Sequence, residues 1–246
     1  MGAPLIRDDD GVRWITFDRP EVLNALTLED LRVVREAVTE LGHVRAVVFA
    51  GSGARSFSSG MHVDTFVEAS PDEGRAVIEQ VGACLGAVRL APVPTLAMVD
   101  GYCLGAAFEL AIACDVRIAT PDARFGLPEV KLGIPSVVDA ALLLHHVGLS
   151  KAKELILTGE LYAAEELPSG LVNRTATRER LRETTTELLR VLTEPTREVI
   201  AAQKMLFETW LNVGLDESID RSKDVFGDVF AQPVTRAAIA RYRKQR

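Results

Sequence analysis

The sequence predicts an α/β fold with a helical C-terminal region, and three observations carry that expectation. Short, nearly all-apolar runs, VRAVVFA at 44–50 and TLAMV at 95–99, read as strands covered on both faces. Segments with helix-start signals and helical spacing of apolar residues lie between such runs, so strands should pair in parallel through helical crossovers. From Arg178 onward the pattern is helical, with breaks near Pro195, Gly214 and Pro233. The expected organisation is an α/β core over residues 1–177 and a helical region over 178–246.

In chain order, VRWITFD (Val12 to Asp18) alternates as a half-buried strand does and is closed by Arg19-Pro20. Thr27 is an N-cap candidate with Asp30 in the capping-box position, and the helix it starts runs to about Leu41. After the strand at 44–50 come a GSGARS turn and the stretch FSSGMHVDTF. Pro71-Asp72 opens a long helix to about Leu90, stopped by Pro92 and Pro94. The strand Thr95 to Val99 then feeds DGYCLGAAFELAIACD, followed by a strand from Asp115 to Ala119. Ser136 to His146 and Ser150 to Leu157 read as helices, and Leu171 to Ala176 as a last short strand.

The segment from Asp100 to Asp115 organises the rest. Small residues (Gly101, Cys103, Gly105, Ala106, Ala107) precede an apolar run that contains one carboxylate, Glu109. A buried glutamate is costly unless it is hydrogen-bonded, paired or neutral. The first N–H groups of a helix have no internal partner, and small residues leave them open to close approach. The short strand after this helix can bring Pro128-Glu129 back near Ala106 and Glu109, because a strand rises about twice as fast per residue as a helix. Two carboxylates at one place suit general acid–base work, since like charges raise one pKa. The competing readings are a helix glutamate paired with a distant arginine for Glu109, and a surface residue after a proline turn for Glu129.

Composition narrows the class. A net charge of −7 over 246 residues argues against nucleic-acid binding, and 48% hydrophobic residues suffice for a full core. The three cysteines have no metal-like spacing with the four histidines and read as buried thiols of a reducing compartment; no metal is expected. No apolar run is long enough for a membrane span, and MGAPLIRDDDG is too acidic for a signal peptide, so a cytoplasmic protein is expected. Ser58, Ser59 and His62 lack a G-x-S-x-G elbow and an orienting acid, which disfavours a nucleophilic triad. GSGARS lacks the lysine of a phosphate loop.

RPEVLNAL, RSFSSGMHVD, VDGYCLGAAFELAIACDVRIATPDARFGLPEVKLGIP and TGELYAAEELPSGLVNR, in this order and spacing, resemble the crotonase superfamily, the enoyl-CoA hydratase/isomerase family, over essentially the whole chain. The resemblance implies a ClpP/crotonase-like fold of repeated ββα units with a C-terminal helical trimerisation region. It implies an acyl-CoA thioester substrate, with no cofactor beyond the coenzyme A of the substrate, and a homotrimer or a hexamer built from two trimers. By motif position, the backbone N–H groups of Met61 and Ala106 would form an oxyanion hole, worth roughly 2.7–4 kcal/mol per donor. Glu109 and Glu129 would be the catalytic pair of an enoyl-CoA hydratase. Asn24, Ala25, Ser59, Gly60, His62, Val63, Asp64, Gly105 and Pro128 would contact the substrate or its CoA. The chain departs from the family pattern where His62 and Asp64 replace an Asp and a Lys. It departs again where GIPSVVDAALL replaces a glycine-rich continuation, so that Gly133, Ser136 and Asp139 shape the acyl pocket. Isomerisation, hydrolysis or a retro-aldol step on the same hole remain alternatives, as does a non-catalytic acyl-CoA-binding or protein-binding role.

Overall fold

The structure is a computed structural model that describes residues 2–244; residues 245 and 246, the end of the expected helical region, lie outside the described residues. The order is β1 (Leu5–Asp9), β2 (Val12–Phe17), α1 (Leu28–Thr39), β3 (Ala46–Gly51), β4 (Ser56–Ser58), α2 (Pro71–Leu90), β5 (Thr95–Val99), β6 (Tyr102–Leu104), α3 (Ala106–Ala113), β7 (Val116–Ala119) and β8 (Arg124–Gly126). It continues with α4 (Leu143–Thr158), β9 (Tyr162–Ala163), β10 (Arg174–Thr175), α5 (Arg178–Leu192), α6 (Arg197–Asn212), α7 (Leu215–Ala231) and α8 (Pro233–Lys244).

Three successive ββα units, β3-β4-α2, β5-β6-α3 and β7-β8-α4, build two sheets. The first strand of each unit enters a six-stranded sheet of order β1-β2-β3-β5-β7-β10, and the second enters a four-stranded sheet of order β4-β6-β8-β9. Pairing from β2 to β10 in the larger sheet is parallel, as the strand and helix alternation predicts; only the β1 edge is antiparallel.

β3 explains why its sequence is apolar at every position. Val47 and Phe49 face the core formed with α1, α2 and α3, while Ala46 and Val48 face a second core closed by Leu181, Leu188 and Leu189 of α5. Both faces of the sheet are thus dry. The outer face also holds Trp14, with the Arg182 guanidinium 3.8 Å from the centre of its ring.

Local signals placed the long helices. Thr27 and Asp30 form the expected capping box of α1, and Ser70 and Glu73 form another at α2, with Pro71 in the first turn. The tail breaks where Pro195, Gly214 and Pro233 stand.

Several boundaries differ from expectation. β1 is absent from the sequence reading because all five of its residues are exposed and show no alternation; the Asp10-Gly11 turn, with φ of 46° and 75°, folds it onto β2. The three-residue strands β4, β6 and β8 are too short to show a period. The two helices expected at 136–146 and 150–157 are present with shifted bounds: a 3-10 turn, Val138–Leu142, leads into the first, and non-helical Gly148 (φ 74°, ψ 162°) divides α4 between them. Of the strand expected over 171–176, only Arg174–Thr175 pairs. Among the described residues, no helix is long and apolar enough to cross a membrane.

Candidate active site

α3 is wholly buried, and its ends are held differently. At its C-terminal end the buried Arg117 guanidinium donates to the carbonyls of Ala111 (3.2 Å) and Cys114 (2.7 Å), two carbonyls that the helix leaves without partners. Arg117 also reaches Leu171 O at 2.5 Å, which ties the segment before β10 to α3. At the N-terminal end stands Gly105, with φ 54° and ψ −132°, a conformation closed to residues with a Cβ. A Cβ there would also lie 2.6 Å from Glu129 Oε1. The Glu129 carboxyl therefore sits directly over the start of α3.

Met61 and Ala106 approach this point from two directions. Leu26 N donates to Gly60 O (2.7 Å) and His62 N to Leu26 O (2.8 Å), so residues 60–62 run beside Leu26 as a parallel bridge. Successive N–H groups of an extended chain point to opposite sides, which turns the Met61 N–H away from Leu26. Gly60 makes the approach to α3 possible: its φ is 85°, and a Cβ would meet Leu104 O at 2.6 Å and Ala106 N at 3.2 Å. Ala106 is the first residue of α3, so its N–H has no intrahelical partner.

These groups border a cavity of about 370 Å³. Glu109 and Glu129 supply its carboxyls, and Phe66, Ile78, Val81, Leu132, Ile134 and Val137 supply apolar wall. Of the sequence-predicted residues, Ala25, Ser59, Met61, His62, Val63, Gly105, Ala106, Glu109, Pro128 and Glu129 line it. Ser136, expected to shape the acyl pocket, also lines it, whereas the structure does not bring Asn24, Gly60, Asp64, Gly133 or Asp139 to the wall. Asn24, at φ 55°, clamps its loop to β4 by donating to Ser52 O (3.0 Å) and Ser56 O (2.8 Å) while accepting from Arg19 N (2.9 Å). Gly60 acts through its missing side chain. Asp64 points into solvent, 3.6 Å from His62 Nδ1. Sequence reading missed Phe66, Ile78 and Val81; the last two share one face of α2 at i, i+3 spacing, a signal that marks a buried face without saying what it faces.

Burial governs the electrostatics. Glu109 is 3% exposed, and its carboxyl is pushed well above the ordinary range, first by burial, then by the negative charges of Glu129 and Asp139; the Ala140 N–H opposes the shift. Glu129 is also raised, by burial, against its own N–H and a 2.9 Å hydrogen bond donated by the Ser136 hydroxyl to Oε2. Like charges at one site oppose ionisation of both groups, which suits the pair to acid–base work. His146 is lowered to about 4, first by burial and then by the nearby Arg117 charge, and lies outside the cavity, as a structural histidine does. Cys84 and Cys114, both buried, have thiols pushed up to about 12.

The family profile described as enoyl-CoA hydratase/isomerase matches residues 7–246. The chain belongs to the enoyl-CoA hydratase/isomerase family. Among relatives in this family, a short-chain-enoyl-CoA hydratase of Clostridium acetobutylicum is 29% identical over 98% of this chain and 95% of its own length. A probable enoyl-CoA hydratase of Mycobacterium tuberculosis is 37% identical over 86% of this chain and 84% of its own. The fold is that of the family's solved structures: an enoyl-CoA hydratase subunit of Geobacillus kaustophilus superposes with a TM-score of 0.92 at 28% identity, covering 100% of this chain and 96% of that one. The crotonase fold expected from the sequence motifs is therefore the fold of this chain.

Proposed function

We propose that this chain is an enoyl-CoA hydratase, adding water across the 2,3 double bond of an enoyl-CoA thioester. The observation that carries the reading is the convergence of Glu109 and Glu129 at the start of α3, beside Met61 and Ala106, in a cavity with apolar walls. The names of the relatives support the same class of reaction.

In the proposed reaction the thioester oxygen sits between the two N–H groups, where negative charge develops as the β-carbon is attacked. A water held by the two carboxyls supplies the oxygen. One of its protons passes to ionised Glu109 as the C–O bond forms, and Glu129 gives its proton to the α-carbon. Water is added, and the shared proton ends on the other carboxyl. That proton must return from Glu109 to Glu129 before the next turnover. The decisive experiment is a screen of enoyl-CoA thioesters of different chain length, followed at the enoyl absorbance, with product identification. Loss of absorbance with formation of a 3-hydroxyacyl-CoA is the expected result; no hydration of any chain length overturns the reading.

One observation favours a second reading. Glu109 is 3% exposed, whereas Glu129 is half-buried and sits over the start of α3, the more open of the two carboxyls. A single base that moves a proton between two carbons suits double-bond isomerisation, and a 3-enoyl-CoA converted without hydration would select it.

A further inference from the structure

The turn after Glu129 is built to return the chain to its carboxyl. Gly133, in the left-handed region at φ 81°, reverses the chain, and Ile134 N donates to Glu129 O at 3.2 Å. Seven residues after Glu129, the half-buried Ser136 then meets the Glu129 side chain. The far end of this segment is strained: Val138, a β-branched residue, has φ 41°. Such a conformation persists only where its surroundings hold it. Gly82 of α2 helps to do so, because a Cβ there would lie 3.2 Å from Val138 Cγ1. The segment leads into the buried Ala140, whose N–H donates to Val137 O at 3.0 Å. Strain at Val138 therefore falls where the segment that carries Ser136 enters the 3-10 turn.

The two oxygens of Glu129 have different surroundings. Oε2 accepts from Ser136 Oγ at 2.9 Å, whereas Oε1 faces Gly105 at the start of α3. We infer that Ser136 is a positioning residue that holds Oε2 and thereby reserves Oε1 as the oxygen that exchanges a proton with the substrate. The hydroxyl has one proton to donate; donated to Oε2, it places the exchangeable carboxyl proton on Oε1. What Oε1 does rests on the hydratase reading above; the hold on Oε2 rests on the contact alone.

The sign of the effect follows from the donor. A hydrogen bond to a carboxylate favours the ionised form, so its loss raises the carboxyl's pKa. The other titratable groups on the cavity wall are Glu109, from α3, and His62, from the segment after β4, while Asp139 bears on Glu109 from the 3-10 turn.

The test is a titration of the Glu129 carboxyl by carbon-13 NMR of side-chain-labelled glutamate, assigned with Glu129→Gln, in wild type, Ser136→Ala and Ser136→Thr. Ser136→Ala should move the Glu129 midpoint to higher pH, and Ser136→Thr, which keeps the hydroxyl, should restore it. Hydration by Ser136→Ala should show a kcat lower by about tenfold, the scale of one hydrogen bond to a charged group, with KM little changed. An unmoved midpoint overturns the inference whether or not the protein hydrates. A moved midpoint with wild-type kcat removes Ser136 from proton transfer and leaves the hydratase reading standing. A moved midpoint in a protein that hydrates nothing overturns the hydratase reading and leaves the hold of Ser136 on Glu129 in place.

Discussion

Glu129 Oε1 occupies the space that a side chain on Gly105 would need: a Cβ built there lies 2.6 Å from that oxygen. The carboxyl and the first turn of α3 therefore share one volume. Gly105→Ala should fail on two counts. At φ 54° and ψ −132° the backbone strain costs about 1–3 kcal/mol, and the methyl displaces Glu129. Activity should fall by roughly 10²-fold or more, the low end of what a positioned acid–base group contributes. Wild-type turnover by a stably folded Gly105→Ala protein would show that Glu129 works from another position.

The two glutamates separate the hydratase from the isomerase. Glu129→Gln should lower hydration by about 10²–10⁴-fold while acyl-CoA binding persists, because the amide keeps the shape and loses the exchangeable proton. Glu109→Ala should be similarly damaging for hydration and mild for isomerisation. Assaying both variants on an enoyl-CoA and its 3-enoyl isomer is the measurement. If only Glu129 matters on both substrates, the hydratase assignment falls.

Stability should carry a pH signature from the same pair. Glu109 and Glu129 are raised above the ordinary carboxyl value of 4.5, so the folded chain holds their protons more tightly than the unfolded chain. Their contribution is fully present below that value and is lost as pH rises through the folded pKa values. Glu109→Gln removes the larger of the two liabilities. Its Tm should match wild type in mild acid and exceed it increasingly toward neutral and alkaline pH. Parallel Tm curves across that range would mean that Glu109 is not held against its charge.

A part-buried ion pair helps tie the tail to the core. Lys204 Nζ of α6 lies 2.7 Å from Asp115 Oδ2 and 3.1 Å from Val93 O, next to the strand start where Thr95 N also donates to Asp115 at 2.7 Å. Lys204→Met leaves Asp115 with its Thr95 donors alone and should destabilise by about 1.5–3 kcal/mol, the scale of a hydrogen bond to a charged group, read as a shift in denaturant midpoint.

Beyond Lys204 the tail leaves Phe207, Trp210, Ile219, Phe226 and Phe230 exposed, more apolar surface than a monomer usually carries. We propose that symmetric copies cover it in a trimer or hexamer. Truncation after Thr196 should then give an insoluble or dissociated, inactive protein. Light scattering that found a monomeric, fully active wild type at micromolar concentration would refute the assembly.

What the sequence determined by itself was local or carried by residue type. Helix starts at Thr27 and Pro71, stops at Pro92 and Pro94, and the two-faced apolar strand β3 are each decided within a few residues, by orphan backbone groups and by burial. Glu109 stood out as a carboxylate inside an apolar run, and the spacing of the motifs marked Glu129 as its companion. Tertiary structure decided the rest. β1 shows no alternation because it is exposed throughout, and β4, β6 and β8 exist only because partners distant in sequence complete their hydrogen bonds. Asn24 looked like a ligand contact and instead satisfies backbone groups of a neighbouring segment, a role visible only once Ser52 and Ser56 stand beside it. The contact between Ser136 and Glu129 depends on a reversal at Gly133 and on a strained Val138 that Gly82 of α2 makes room for. No pattern within one segment encodes such a contact, because the space that permits it belongs to another helix.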